Sequence, residues 1–250
     1  MISINQQKRI AALRLPKFRA KYGLFIVEGH KISVEILQRY PQAVEHIFAT
    51  ADWLIANADI LPDLRGKIDE ATPDELKKHS SFSTASPLLL LVRIPTFTID
   101  NDLIPNSLSL VLQTIQDPGN MGTILRIADW FGVAQVFCSA DCCDVFSPKV
   151  VQASMGSCMR MATHTVDLPQ FLAEYPKLPI YGTVLHGSSI YAADLQPRGF
   201  VLMGNESQGL SPDLQTLLTH RLTIPAVGAA ESLNVAVAAG IVLSHFRKNG

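Results

Sequence analysis

The sequence predicts an α/β protein whose second half is a parallel sheet with helices on both faces. Three observations predict it. Apolar runs such as Leu24–Val27 and Leu88–Ile94, the latter broken only by Arg93, read as buried strands. Stretches of helical period lie between such runs, joined by short loops, which is the alternation of a parallel sheet. Apolar residues make up 48% of the 250 and charged residues only 17%, so a large core can be filled and disorder is excluded. A chain of this length makes one large domain or two smaller ones.

In the first half, residues 3–14 read as a short basic helix stopped near Pro16. A buried strand follows at Leu24–Val27. His30–Tyr40 carries Ile32, Ile36 and Leu37 at helical spacing and ends before Pro41. Val44–Thr50 reads as a strand, Ala51–Ala58 as a helix and Lys67–Glu70 as a short strand. Thr72, Pro73 and Glu75 then form a helix start, with an N-cap, a proline in the first turn and a glutamate three residues past the cap. With the strand at Leu88–Ile94, residues 1–97 read as an α/β sandwich. Residues 95–105 have no helical period and a proline at each end, so 98–106 reads as a linker and 107–250 as a second domain.

That domain opens with a strand at Leu108–Ile115, a turn at 116–120 and a helix from Met121 to Phe131 with Gly132 as its cap. Strands follow at Val133–Cys138, Met159–Val166, Pro179–Leu185, Phe200–Met203 and Arg221–Ile224. Helices fall at Lys149–Ser154, Pro169–Tyr175, Asp213–Leu218 and Ser232–Lys248. The last helix is almost wholly small and apolar from Val235 to Gly240, which marks it as buried against other backbone.

The net charge of −1 hides an uneven distribution. Residues 1–31 carry Lys8, Arg9, Arg14, Lys17, Arg19, Lys21 and Lys31 against Glu28 alone, an excess of six. Such a segment is either a phosphate-contacting surface or a solvated helix face. No apolar run reaches the ~18 residues of a membrane span. Residues 1–7 lack the basic-then-apolar order of a secretory signal. Cys138, Cys142, Cys143 and Cys158 fit no zinc spacing and suggest no export disulfides. The expectation is a cytoplasmic protein with reduced thiols, no metal and no membrane contact.

Three loops carry the candidate chemistry, each after a strand and before a helix, where parallel sheets bind ligands. The first holds Asn120 and, further along its helix, Arg126. They are six positions apart, so both face the loop mouth only if Asn120 belongs to the loop. Arg126 lies among apolar residues. It is either a snorkelling charge or a guanidinium placed to grip phosphate. The second loop, Gly204–Leu210, has glycines near both ends and Glu206 between them, and is neither a dinucleotide fingerprint nor a Walker loop. The third runs from Ile224 and Pro225 to Ser232 and Asn234. Its Pro, Gly and Ala residues bring bare backbone near a ligand. The bland role of Ser232 is that of N-cap. No hydrolase elbow is present.

Together these loops resemble the three ordered motifs of the SpoU (TrmH-like) branch of the SPOUT RNA methyltransferases: Asp117–Gly132, Val201–Leu210 and Ile224–Gly240. Gly23–Gly29 resembles the marker of the L30e-like substrate-binding domain found in that family. The resemblance implies a C-terminal trefoil knot and a homodimer whose site draws on both subunits. It implies methyl transfer from S-adenosylmethionine to an RNA ribose 2′-hydroxyl, ribosomal RNA being favoured over transfer RNA. Carried over by position, the catalytic set is Asn120, Arg126, Glu206, Ser232 and Asn234. Cofactor contacts are Leu202, Met203, Gly204, Asn205, Gly209, Ile224, Pro225, Ser232 and Leu233. RNA contacts are Lys8, Arg9, Arg14, Lys17, Arg19, Lys21 and Arg126. An RNA-binding module without catalysis is disfavoured by the complete catalytic set. A small-molecule methyltransferase would leave the basic segment without a role.

Overall fold

The computed structural model describes residues 1–205 and 207–248. In chain order the first half contains helices α1 (Ile4–Ala12) and α2 (Pro16–Tyr22), strand β1 (Leu24–Glu28), α3 (His30–Arg39), β2 (Val44–Ala49), α4 (Ala51–Ala56), β3 (Ile68–Glu70), α5 (Pro73–His79) and β4 (Leu88–Arg93). The second half contains β5 (Leu108–Leu112), α6 (Pro118–Trp130), β6 (Val136–Cys138), α7 (Pro148–Ser154), β7 (Thr163–Thr165), α8 (Leu168–Ala173), β8 (Ile180–Ser189), β9 (Gly199–Met203), α9 (Pro212–Thr216), β10 (His220–Thr223) and α10 (Val235–Phe246).

The chain divides into two compact units. One holds Met1–Thr96 and Asp144–Met159, the other Phe97–Cys143 and Arg160–Gly250. In the first unit, β1, β4, β2 and β3 form a mixed sheet in that order. The run Leu88–Val92 is buried throughout because β4 is central, antiparallel to both β1 and β2. The capping box read at Thr72 is present: Glu75 N donates to Thr72 Oγ1, and Thr72 N donates to Glu75 Oε2.

This unit departs from the expectations at three places. The first helix ends at Ala12, short of Pro16 as read, but Pro16 also starts a helix that was not expected, α2, occupying its first turn, where a missing N–H costs nothing. Arg19 is no RNA contact. It is 2% exposed, donates from Nε to Asp144 Oδ2 at 2.8 Å and from Nη1 to Leu13 O at 2.8 Å. A charge this buried needs such partners. Lys8, Arg14, Lys17 and Lys21 are exposed and Arg9 is half-exposed. The third difference is the segment Asp144–Met159, which groups with residues 1–96 rather than with the rest of 107–250. Phe146 packs on Phe25 with ring centroids 5.1 Å apart, and Val150 and Val151 of α7 are buried.

The second unit is built on the sheet β10-β8-β9-β5-β6-β7, in which every pairing is parallel. Its central strands β9, β5 and β6 are buried on both faces, as continuous apolar runs require, while β7, β10 and the second half of β8 are partly exposed. Phe137, Phe171 and Phe200 form an aromatic cluster on one side, with Phe137 and Phe171 centroids 4.2 Å apart. Residues 98–106 are not a free linker. Ile104 is fully buried in that core, and Gln135 clasps Asp100, accepting from its N–H and donating to its carbonyl. Strand β5 stops at Leu112, short of Ile115, because Thr114 turns to φ +56°.

Asp144→Ala is expected to lower stability by about 3 kcal/mol, because it leaves the Arg19 guanidinium buried without its carboxylate. Lys17→Ala should stay within about 0.5 kcal/mol. Urea unfolding midpoints measure both.

Candidate functional site

Register brings three strand ends level. Leu112 of β5 pairs with Met203 of β9 and with Cys138 of β6. The loops that follow these strands therefore emerge side by side at the carboxyl edge of the sheet, the edge that binds ligands in open α/β folds.

Helix α6 begins at this edge. Asp117 is its N-cap, accepting from Asn120 N at 2.8 Å, with Pro118 in the first turn. Asn120 is therefore a helix residue, not the loop residue expected. Its Oδ1 accepts from Asn234 Nδ2 at 2.8 Å. That bond joins the first and third motifs across 114 residues of sequence.

Asn234 is the N-cap of α10. Its Oδ1 accepts from Ala236 N at 2.9 Å and Val237 N at 3.3 Å. The expected start at Ser232 is two residues too early for the cap, and Ser232 lies in an exposed loop. Asn and Ser cap equally well, so residue type alone did not distinguish them.

Arg126 follows Asn120 by six residues, about 240° around the helix and about 9 Å along it. It shares an exposed stripe with Thr123 and with Trp130, which is 84% exposed. Within one chain the two residues thus present different faces, and Arg126 has no ion pair among the described residues.

The loop after β9 is closed on itself. Asn205 N donates to Gly209 O at 3.1 Å and Gly209 N donates to Asn205 O at 2.9 Å. Asn205 Oδ1 accepts from Ser207 N and Gln208 N, while its Nδ2 donates to Thr114 O at 3.0 Å. A Cβ on Gly204 would stand 2.3 Å from the Gly209 carbonyl carbon, so only glycine permits this closure. Glu206 lies outside the described residues. Leu202 and Met203 point into the core, and their carbonyls accept from Thr183 Oγ1 and Gln113 N. They hold Gly204 in place from beneath.

The third loop is different. Residues 225–233 are exposed, and among the described residues no hydrogen bond uses the backbone groups of 224–233. Val227 and Leu233 are exposed apolar side chains in it. Free peptide groups beside small and apolar residues suit a flat, mainly uncharged ligand.

Sequence reasoning missed the turn that carries Asn205. Thr114 holds a left-handed conformation unusual for a β-branched residue. Its N–H donates to Ser139 Oγ at 2.9 Å and its hydroxyl to Asp141 Oδ2 at 2.7 Å. The Asp141 carboxyl is held below its ordinary range chiefly by the hydrogen bond that Ser139 Oγ donates to its Oδ1 and then by that from Thr114 Oγ1. The only advance sign was a polar Gln-Thr pair following an apolar strand.

A sequence model of the SpoU rRNA methylase family matches residues 107–244. A chain named as an uncharacterised tRNA/rRNA methyltransferase of Synechocystis sp. is 32% identical, over 96% of this chain and 90% of that one. The 23S rRNA (guanosine(2553)-2′-O)-methyltransferase RlmP of Bacillus subtilis is 29% identical, over 94% of this chain and 93% of its own. Among solved structures, one described as an RNA methyltransferase of the TrmH family from Porphyromonas gingivalis superposes with a TM-score of 0.87 at 37% identity, covering 100% of both chains. The SpoU methyltransferase AviRb of Streptomyces viridochromogenes, solved with the cofactor AdoMet, gives 0.81 at 26% identity, covering 99% of this chain and 100% of that one.

Replacing Asn234 separates its two roles. Asn234→Ala should cost about 1 kcal/mol through loss of the cap. Asn234→Asp keeps the cap acceptor but cannot donate to Asn120, and should lie within about 0.5 kcal/mol of the parent. Thermal unfolding of the two variants side by side measures the difference.

Proposed function

This chain belongs to the SpoU rRNA methylase family, and from that premise we propose that it transfers a methyl group from S-adenosylmethionine to a ribose 2′-hydroxyl of ribosomal RNA. The observation that carries the reading is the Asn234–Asn120 hydrogen bond, which makes one constellation of two motifs far apart in sequence. The B. subtilis relative, named for a 23S rRNA ribose, supports ribosomal RNA as the substrate.

The residues present fit the donor. An adenosine bearing a sulfonium needs a backbone-lined, apolar slot rather than an anion cradle. The closed loop at Gly204, Asn205 and Gly209 and the open loop at Ile224, Pro225, Ser232 and Leu233 supply those surfaces. When bound, the cofactor supplies an electrophilic methyl group.

The protein's own groups act on the acceptor. The Asn120 and Asn234 amides and the two helix N-termini behind them orient the ribose and favour negative charge on its oxygen. Arg126 holds the adjacent phosphate and steadies the developing alkoxide. It is not the base, since a guanidinium stays protonated in proteins. Glu206 and Ser232 belong to the same set by position in the motifs. Because Arg126 and Asn120 present different faces of α6, the reading includes a homodimer in which Arg126 of a second copy completes each site. The exposed Trp130 and Val237 supply apolar surface for that contact.

Two further parts of the reading rest on topology and charge. Strand β10 lies at the sheet edge beyond β8, yet α10 packs on α6. The chain must return past the loops of β8 and β9, which supports the trefoil knot. The exposed Lys8, Arg14, Lys17 and Lys21, with Arg9, would grip RNA backbone from the first unit.

Incubation with labelled S-adenosylmethionine and ribosomal RNA should give 2′-O-methylated nucleotides. Label confined to transfer RNA would overturn the substrate, and cofactor binding without RNA methylation would overturn the activity. Arg126→Ala should reduce turnover about 10²–10³-fold with cofactor affinity within a few-fold. Mixing inactive Arg126→Ala and Asn234→Ala chains should restore about a quarter of the activity if sites are shared. No recovery after subunit exchange would refute the shared site.

A further inference from the structure

Helix α2 carries two aromatic rings that the core of its unit does not take up. Phe18 and Tyr22 are four positions apart, as are Lys17 and Lys21, so each pair lies along one side of the helix. Tyr22 is 42% exposed and Phe18 is half-buried. The two rings are nearly parallel, with planes 13° apart and centroids 6.1 Å apart. A cation stands over each. Lys17 Nζ is 5.0 Å from the Phe18 centroid, and Lys21 Nζ and Arg9 Cζ are 5.7 Å and 5.9 Å from that of Tyr22.

Tyr22 also lines a cleft of about 400 Å³ together with Arg9, Gly23, Glu45 and Arg93, a size that suits a small flat ligand. Strand pairing builds it. Leu24 of β1 is the register partner of Arg93 of β4, and Ile94 N donates to Gly23 O at 2.8 Å, so the ends of α2 and β4 lie together. Glu45 holds Arg93 in place, its Oε2 accepting from Nη2 at 2.9 Å and from Nε at 3.2 Å, while its Oε1 stands 3.9 Å from Arg9 Nη2. The side chains of Arg9 and Arg93 are 41% and 61% exposed, so each guanidinium keeps N–H groups for a ligand. All of these residues belong to the first unit.

We propose that this surface is a stacking platform for unpaired RNA, in which a nucleobase enters the cleft and lies on the Tyr22 ring, Phe18 flanks that ring, and Arg9, Arg93, Lys17 and Lys21 take the neighbouring phosphates. The proposal rests on the function given above for the kind of molecule bound, and adds that the first unit grips nucleotides outside a duplex.

Three features select this occupant. Four cations surround the rings against the single carboxylate of Glu45, which favours a polyanion. The ring offers a flat apolar face, and every base has a face to lay on it. An exposed cation–π contact is weaker than base stacking, so an incoming base displaces the ammonium from the ring and leaves it beside the phosphate. A duplex keeps its base faces within its own stack and presents phosphates alone, whereas a loop or bulge can splay a base outward. An acidic protein segment would satisfy the cations and leave the cleft beside Tyr22 unfilled.

The test uses the full chain and a single-stranded RNA of about ten nucleotides, uridines around one central 2-aminopurine, with its duplex for comparison. The single strand should bind roughly tenfold tighter than the duplex, and the 2-aminopurine emission should fall as that base stacks. Tyr22→Leu should weaken binding roughly tenfold and lose the quenching, while Tyr22→Phe, which keeps the ring, stays within about twofold. The dependence of log affinity on log salt should become shallower by about 0.7 in Arg93→Ala and stay unchanged in Tyr22→Leu. No binding of the strand, unchanged emission in the parent complex, or equal binding by the parent and Tyr22→Leu overturns the platform. So does equal loss in Tyr22→Leu and Tyr22→Phe. Poly-glutamate competing as well as the RNA overturns it in favour of an acidic protein segment, and duplex bound as tightly as single strand overturns the preference for unpaired nucleotides. Should Tyr22→Leu fail to fold, the emission of the parent complex and the comparison with duplex still decide. Quenched binding by a protein that methylates no RNA overturns the proposed function and leaves the platform. Methylation of ribosomal RNA by a protein whose binding ignores Tyr22→Leu overturns the platform alone.

Discussion

Helices α6 and α10 lie side by side and point the same way, and that arrangement is the constraint from which the site follows. Their N-termini meet at the Asn234–Asn120 bond, and their other ends meet where Arg247 donates to Phe131 O and Gly132 O, both at 2.8 Å. Parallel neighbouring helices repel, since each carries roughly half a positive charge at its start and half a negative at its end. Three features offset the repulsion. Small residues on α10 allow close packing: a Cβ on Gly240 would stand 3.6 Å from Ile127 Cδ1, ordinary contact. Arg247 neutralises the carbonyl end of α6. The asparagines tie the amide ends, which leaves two positive dipole ends at one edge of the sheet. Packing alone has made a place where a negative oxygen is favoured.

How much of this was legible depends on whether the signal was local. The Thr72 capping box is a pattern within four residues and folds as read. The buried run of β4 needs only its own composition. Failures occur where a distant partner decides. Arg19 looks like any residue of a basic segment until Asp144 and Leu13 O surround it. Ser232 and Asn234 are both good caps, and the register of α10 against α6 selects the second. Residues 98–106 read as linker because proline breaks helical period, which says nothing about whether Ile104 finds a core. The ordered motifs were legible as a resemblance, but the face on which Arg126 stands required the helix to begin at Pro118 rather than Met121.

The two loops beside the helix starts show opposite solutions to the same demand. The loop after β9 spends its backbone groups on itself and on Asn205, so its shape is held without a ligand. Gly204 is required there by contact with the loop's own backbone. The loop of residues 224–233 leaves its peptide groups without partners among the described residues. In the proposed reading the rigid wall and the unpaired strip form one slot, in which the strip gains hydrogen bonds on binding and the wall already stands where Thr114 puts it.

This arrangement also decides what kind of catalyst the site can be. The described groups gathered at the helix starts are amides, peptide N–H groups and dipoles, which hydrogen-bond and orient. Among the described residues none of these groups is a base strong enough to take a proton from a sugar hydroxyl. They are suited to hold its oxygen in line and to favour charge as it develops, where fixed dipoles need no reorganisation. The chemistry then falls on alignment, and alignment is what a bond between two helix N-caps secures.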